Sequence, residues 1–222
     1  RAVSGKSGSA DLLEAAGIYL ELSPVQVARC IESVGVGFMF AQVHHSAMKY
    51  AAVPRRELGL RTLFNMLGPL VNPVMPTYQL LGVYNLPLLR LYNYTYQESG
   101  TRFAVVHSLD GYDEISLTAD FKVAMPEKEK LYTPEMLGFK RCTEADLDGG
   151  ETPEEAARIF DAVLGNRATE AQKSCVIANS AFAIQVICPE KKIETCIAEA
   201  RESLESGKAL ATFRKFISLN QR

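Results

Sequence analysis

The sequence predicts an α/β fold with a mixed, mostly parallel central sheet flanked by helices. Three observations predict it. Helical and strand-like segments alternate along the 222 residues. One stretch reads strand, helix, strand, the unit that makes a parallel pair. Two segments carry a hydroxyl cap followed by Pro, the signature of a helix start. In order, Ser23-Pro24-Val25-Gln26 opens the first clear helix. Ser is the N-cap, Pro sits at N1, and Gln is the reciprocal capping partner. This helix is expected to run to about Val34, with Val27 and Ile31 inward. The short apolar run 36–40 reads as a buried strand. Segments 44–58 and 60–67 read as helical.

The run 78–84 reads as a strand, and Pro87 opens the next helix. Its inward positions are expected to be Leu88, Leu91, Tyr92 and Thr95, at i, i+3, i+4 and i+7. Gly100 is its expected stop, and 103–106 is the following strand. Runs 115–117, 123–124 and 131–132 are shorter strand candidates that would extend the sheet in antiparallel fashion. Thr152-Pro153-Glu154-Glu155 is a second capping box, opening a helix through Phe160 to Leu164. The nearly uniform apolar run 170–186 reads as a core helix. The last stretch, 193–219, reads as two helices broken near Gly207.

Hydrophobic residues make up 47% and charged residues 23%, an ordinary globular balance. The net charge of -2 disfavours a broad nucleic-acid footprint, which needs a basic surplus. No apolar run is long enough to span a bilayer, and no secretory leader pattern opens the chain. The five cysteines form no C-x-x-C pair, so reduced thiols and a cytoplasmic setting are expected. The first residue is Arg1 rather than Met, so a fragment, a processed product or a trimmed chain is expected.

Three segments carry residue types suited to chemistry. The first contains Ala2, Val3, Ser4, Gly5, Lys6, Ser7, Gly8 and Ser9, leading into a helix at Ala10 and Asp11. Backbone N–H groups and hydroxyls at such a helix start suit a phosphate; an ordinary Ser/Gly loop with an N-cap is the other reading. The second holds His44, His45, Arg55 and Arg56. An Arg fork matches a carboxylate bidentately, while a solvated helix face explains the same residues. The adjacent histidines make a poor metal pair, because i, i+4 spacing is absent. The third is Asp110-Gly111-Tyr112-Asp113-Glu114, after a strand. Adjacent carboxylates at a loop–strand boundary suit a hard cation such as magnesium beside a diphosphate, and an acidic turn is the alternative.

The order and flanks of these segments resemble the anthranilate phosphoribosyltransferase family, with its nucleoside-phosphorylase-like fold. The resemblance rests on Arg1-Ala-Val-Ser-Gly-Lys-Ser-Gly-Ser-Ala-Asp11, His45-Ser-Ala-Met-Lys49 and Arg55-Arg-Glu-Leu-Gly59. It continues through Arg61-Thr-Leu-Phe-Asn-Met-Leu-Gly-Pro-Leu-Val-Asn-Pro73, Gln79-Leu-Leu-Gly-Val83 and Asp113-Glu-Ile-Ser-Leu-Thr118. It covers practically the whole chain, and the 61–73 and 113–118 runs are specific at family level.

The resemblance implies transfer of the phosphoribosyl group from phosphoribosyl pyrophosphate to anthranilate, releasing pyrophosphate, a step of tryptophan biosynthesis. It implies that Arg1, Ala2, Val3, Ser4, Gly5 and Ser9 line the phosphoribosyl pyrophosphate site. Arg55 would hold the anthranilate carboxylate, with His45, Gly68 and Pro69 near the ring. Asp113 and Glu114 would serve Mg2+. It implies a division into 1–43 (start of the α/β domain), 44–70 (helices of a small all-α domain) and 71–222 (remainder of the α/β domain). A cytoplasmic homodimer, without nucleic-acid or membrane partners, is expected. A related pyrimidine nucleoside phosphorylase and a non-catalytic nucleic-acid-binding paralogue are the rival readings. The family's Gly-Thr-Gly-Gly-Asp-Gly loop is nowhere in these residues. The chain alone is therefore expected to have little transferase activity.

Overall fold

The computed structural model describes residues 8–44 and 68–220. The chain divides into two compact units. The first comprises Arg1–Pro73, Gly149–Gly165 and Gly207–Arg222; the second comprises Val74–Asp148 and Asn166–Ser206.

The first unit is helical in its described residues. Its helices are α1 (Ser9–Ala15), α2 (Pro24–Val34), α3 (Ala41–His44), α5 (Pro153–Leu164) and α8 (Lys208–Leu219). The expected capping box on α2 is formed in both directions. Ser23 Oγ accepts from Gln26 N at 3.4 Å, and Gln26 Oε1 accepts from Ser23 N at 2.8 Å. Gly35, at φ +82°, ends the helix in the left-handed conformation that costs Gly little. Val27 is buried as expected, but Ile31 is 49% exposed and Cys30 takes the inner position. The inward stripe is therefore i, i+3 rather than i, i+4. Ala10, Ile18, Leu20, Cys30, Phe40 and Phe216 form the core. Phe160 and Phe213 meet edge to face at 5.0 Å between α5 and α8.

Two expectations need correction in this unit. Residues 36–40 are not a strand. Gly37 lies against Ile31 and Val27 so closely that a Cβ there would come within 2.7 Å of Ile31 Cγ1. The segment is folded back on α2, with Phe40 buried in the core and Phe38 packed against it. At the start of α5, Thr152 Oγ1 caps Glu155 N at 3.2 Å as expected. The Glu155 carboxylate, however, accepts from Glu151 N at 2.7 Å, so the expected reciprocal bond is displaced by one residue. Segments 45–58 and 60–67 lie outside the described residues.

The second unit is a four-stranded sheet with helices. Its strands are β1 (Tyr78–Gly82), β2 (Arg102–Ser108), β3 (Phe121–Met125) and β4 (Lys128–Tyr132), in that spatial order. The α/β class and the mixed sheet are as expected. The balance differs: β1–β2 is parallel, whereas β2–β3 and β3–β4 are antiparallel. The sheet is thus not mostly parallel among the described strands. The crossover from β1 to β2 is α4 (Leu86–Gln97), capped by Asn85, whose side chain accepts from Leu88 N at 2.8 Å. Its inward residues are Leu88, Leu89, Tyr92 and Tyr96. The expected Leu91 and Thr95 face outward, so the buried stripe is rotated by about one residue. The helix ends at Gln97, short of Gly100. Tyr96 OH donates to Gln79 Oε1 at 2.9 Å, tying the crossover back to β1.

Helix α6 (Glu170–Ile187) lies against β1 and β2, and α7 (Ile193–Glu205) packs along α6. The apolar run read as a core helix is that, with Ile177, Ala178, Ala181, Phe182 and Val186 buried. Phe182 meets Phe121 edge to face at 6.0 Å and Tyr132 at 5.3 Å. The break at Gly207 is also as expected, with φ +80° between α7 and α8. No helix among the described residues is long and apolar enough to cross a membrane.

Candidate functional site: an acidic loop at the strand ends

Strand β2 ends at Ser108, and the chain turns at once. Gly111 N donates to Ser108 O at 2.9 Å and Ser108 N donates to Tyr112 O at 3.0 Å. This delivers Asp113 and Glu114 beside the end of β1. Gly82, the last residue of β1, lies against Asp113 so closely that a Cβ there would be 1.6 Å from the Asp113 carbonyl oxygen. Only Gly allows that approach. In a parallel pair the strand C-termini share one edge, the edge where open α/β sheets commonly hold ligands.

Residues 115–117, expected as a strand, form no ladder. Most of their bonded backbone groups go to side chains instead, while Leu117 O accepts from Cys142 N at 3.1 Å. Ile115 N donates to Asn179 Oδ1 at 3.0 Å, and Asn179 Nδ2 donates to Ile115 O at 2.9 Å. Asn179 thus pairs with Ile115 as a neighbouring strand would. Ser108 Oγ donates to Glu114 O at 2.6 Å and accepts from Ser116 N at 3.2 Å. Ser116 Oγ lies 2.7 Å from Thr118 Oγ1, and Thr118 in turn donates to Asp110 Oδ2. Leu117 takes φ +61°, unusual outside Gly, while its side chain is fully buried. Ile115, Ser116 and Leu117 are buried, whereas Asp113 and Glu114 are exposed.

Although Glu114 is exposed as a residue, its carboxyl has lost enough solvent to raise its pKa, and the charge of Asp113 raises it further. No ion pair to either carboxylate occurs among the described residues. An incoming cation would relieve the repulsion. No group of three or more His, Cys, Asp or Glu able to hold a metal lies among the described residues. Two carboxylates could hold a hard cation only together with ligand oxygens and water, which is how magnesium is usually held.

His107 is buried, with Nδ1 2.8 Å from Val83 O, so that nitrogen carries the proton and serves the backbone. Cys142 and Cys175 both donate to Ser116 O. Burial first, then the neighbouring Cys142, pushes the Cys175 thiol up to about 12. Cys175 should therefore resist iodoacetamide at pH 8 while the denatured chain reacts freely. Peptide mass mapping checks this. Because the folded pKa is raised, the stabilisation is present below about pH 9 and is lost as pH rises toward about 12. Alkaline unfolding in that window should therefore shift to higher pH in Cys175→Ala relative to its own neutral stability.

Of the expected site residues, Arg1, Ala2, Val3, Ser4, Gly5, His45 and Arg55 lie outside the described residues. Ser9 opens α1, whose N-cap is Gly8. Gly8 N donates to Asp11 Oδ2 at 3.1 Å. Gly68 and Pro69 begin the 3-10 turn Gly68–Val71. Asp113 and Glu114 stand at the strand ends. Sequence reading missed Gly82, Ser108 and Asn179. A lone Asn inside an apolar helix and a lone Gly at a strand end were the available signals.

The chain matches the model of the glycosyl transferase family, a/b domain, over residues 1–210. It is 64% identical over 214 residues to an anthranilate phosphoribosyltransferase of Bacteroides fragilis (strain YCH46), covering 96% of this chain and 65% of that protein. It is 61% identical to one from Bacteroides thetaiotaomicron, covering 97% of this chain and 65% of that protein. The chain thus spans 65% of the length of these curated relatives. Among solved structures it resembles the Thermus thermophilus anthranilate phosphoribosyltransferase, with a TM-score of 0.92 and 36% identity, over 99% of this chain and 66% of that one. It also resembles the Saccharomyces cerevisiae enzyme in complex with PRPP and Mg, with a TM-score of 0.91 and 26% identity, over 99% of this chain and 62% of that one.

Proposed function

Because this chain belongs to the glycosyl transferase family, a/b domain, we propose that it forms part of an anthranilate phosphoribosyltransferase. The reaction is transfer of the phosphoribosyl group from phosphoribosyl pyrophosphate to anthranilate, giving N-(5-phosphoribosyl)-anthranilate and pyrophosphate. The likeness to anthranilate phosphoribosyltransferases along 96% of the chain carries the reading. The acidic loop supports it. In this reading Asp113 and Glu114 hold Mg2+, a role suited to adjacent carboxylates that make no ion pair among the described residues. Bound there, magnesium would supply charge against the diphosphate.

The remaining roles follow the residue types. Arg1, Ala2, Val3, Ser4, Gly5 and Ser9 contribute backbone donors and hydroxyls to phosphoribosyl pyrophosphate. Arg55 holds the anthranilate carboxylate as a bidentate fork, with His45, Gly68 and Pro69 around the ring. The amine of anthranilate is a modest nucleophile, so orientation by that clamp contributes more than a strong base. Residues 44–70 belong to a small helical domain, and 1–43 with 71–222 to the α/β domain. The working enzyme is a cytoplasmic homodimer without nucleic-acid or membrane partners.

Arg55 gives the test. In a protein of the relatives' full length carrying this chain, Arg55→Ala should raise the KM for anthranilate far more than that for phosphoribosyl pyrophosphate. The expected loss is about 1.5–3 kcal/mol, the usual worth of a hydrogen bond to a charged group. Steady-state kinetics with each substrate varied in turn reads it. Equal effects on both substrates would make Arg55 structural.

A further inference from the structure

We infer that Asn179 and Ser108 are positioning residues that set the cation affinity of the Asp113–Glu114 pair by fixing the backbone on which it rides. The inference rests on the reading of that pair as the metal-binding carboxylates. The side chains of Asn179 and Ser108 bond to backbone groups and Ser116 Oγ, not to the two carboxylates. Each instead takes hold of the peptide groups immediately after the two acids.

Asn179 uses its whole amide. Its Oδ1 accepts from Ile115 N at 3.0 Å, while Nδ2 donates to Ile115 O and to Cys175 O, each at 2.9 Å. The bond to Cys175 O, one turn back on the same helix, fixes the rotamer and leaves the other two groups aimed at Ile115. Asn179 stands on α6, whose Ala178, Ala181 and Phe182 are fully buried. The grip is therefore anchored in the core of the same compact unit. Ser108 is itself fully buried at the end of β2. Its Oγ holds the carbonyl of Glu114 at 2.6 Å and takes up Ser116 N and Ser116 Oγ.

The sheet end and a core helix thus clamp the loop from two elements, through bonds to consecutive residues 114, 115 and 116. The loop has no ladder of its own to hold it. With these bonds removed, the two carboxylates would have to be ordered when a cation binds. Ligand-orienting partners of this kind typically change metal affinity by about 10- to 100-fold.

The test uses a protein of the relatives' full length carrying this chain. Mn2+ serves as the probe, with pyrophosphate present, and free Mn2+ is counted by electron paramagnetic resonance. Asn179→Ala is expected to raise the Mn2+ dissociation constant by about 10- to 100-fold. Ser108→Ala, which removes less volume and should leave the fold intact, is expected to raise it by a smaller factor. Amide exchange at Ile115 and Ser116 should quicken in both. The anthranilate KM should stay within about twofold of the parent, because partners that orient metal ligands act on the metal rather than on the second substrate. Quicker exchange with unchanged Mn2+ affinity in both variants, while Asp113→Asn/Glu114→Gln loses Mn2+, would overturn the inference and leave the metal site standing. Unchanged Mn2+ affinity in Asp113→Asn/Glu114→Gln would overturn the metal reading itself, and the inference with it.

Discussion

Gly82→Ala should lower the thermal unfolding midpoint by roughly 5–10 °C and weaken the acidic loop's function at the same time. The added Cβ would stand 1.6 Å from the Asp113 carbonyl oxygen and 2.7 Å from its carbonyl carbon. Both are backbone atoms, so no flexible side-chain tip can swing away. Either β1 recedes from β2, breaking the pairing of Gly82 with Val106, or the loop carrying Asp113 and Glu114 moves out. Overpacking of this kind costs typically about 1–3 kcal/mol and occasionally more. Each kcal/mol moves the midpoint by roughly 2–4 °C in a chain of this size. Gly149→Ala is the control, since nothing lies within 4 Å of a Cβ there. Calorimetry of the two variants separates them. Equal midpoints would show that the approach of β1 to Asp113 is not as described.

Phe182→Ala should cost about 3–5 kcal/mol, a large share of the stability of an ordinary domain. Phe182 is fully buried, edge-on to both Phe121 and Tyr132, which are themselves stacked at 5.6 Å across β3 and β4. Truncation would leave a cavity lined by rings on a rigid sheet, which cannot collapse into it easily. The ring also sets the depth of α6 against the sheet, and Asn179 lies three residues earlier on that helix. The variant should therefore quicken amide exchange at Ile115 as well as unfold at lower urea. Tyr94→Ala, on the exposed face of α4, should change stability by no more than about 0.5 kcal/mol. A urea midpoint for Phe182→Ala close to that control would contradict this account of the core.

Much of the fold was legible because its signals are local. The Ser23 and Thr152 caps, the strand–helix–strand run and the break at Gly207 each depend on a few neighbouring residues. The two strand misreadings have one cause. Apolar content marks burial, but not what satisfies the backbone. Residues 115–117 are as buried as any strand, yet the peptide groups of Ile115 and Ser116 bond to the side chains of Asn179 and Ser108, 64 and 8 residues away. Residues 36–40 turn back on α2 through Gly37, and no strand among the described residues pairs with them. The helix faces were misplaced by one position at Ile31 and Leu91, because a mixed apolar surface lets the stripe rotate until tertiary packing chooses. In the site, Asp113 and Glu114 could be picked out as adjacent acids after a strand. Gly82 and Asn179 could not be paired with them, since only the folded chain brings them together.

In the proposed reading, the Asp113–Glu114 pair serves magnesium in phosphoribosyl transfer to anthranilate. Its most direct measurement is the loss of anthranilate fluorescence as magnesium is titrated in the presence of phosphoribosyl pyrophosphate. A protein of the relatives' full length carrying this chain should be compared with its Asp113→Asn/Glu114→Gln variant. The parent should consume anthranilate only when both phosphoribosyl pyrophosphate and magnesium are present. The variant should need more magnesium and turn over at least about 100-fold more slowly, the usual effect of removing electrostatic support from a developing charge. No consumption by the parent, or the same magnesium dependence and rate in the variant, would contradict the claim.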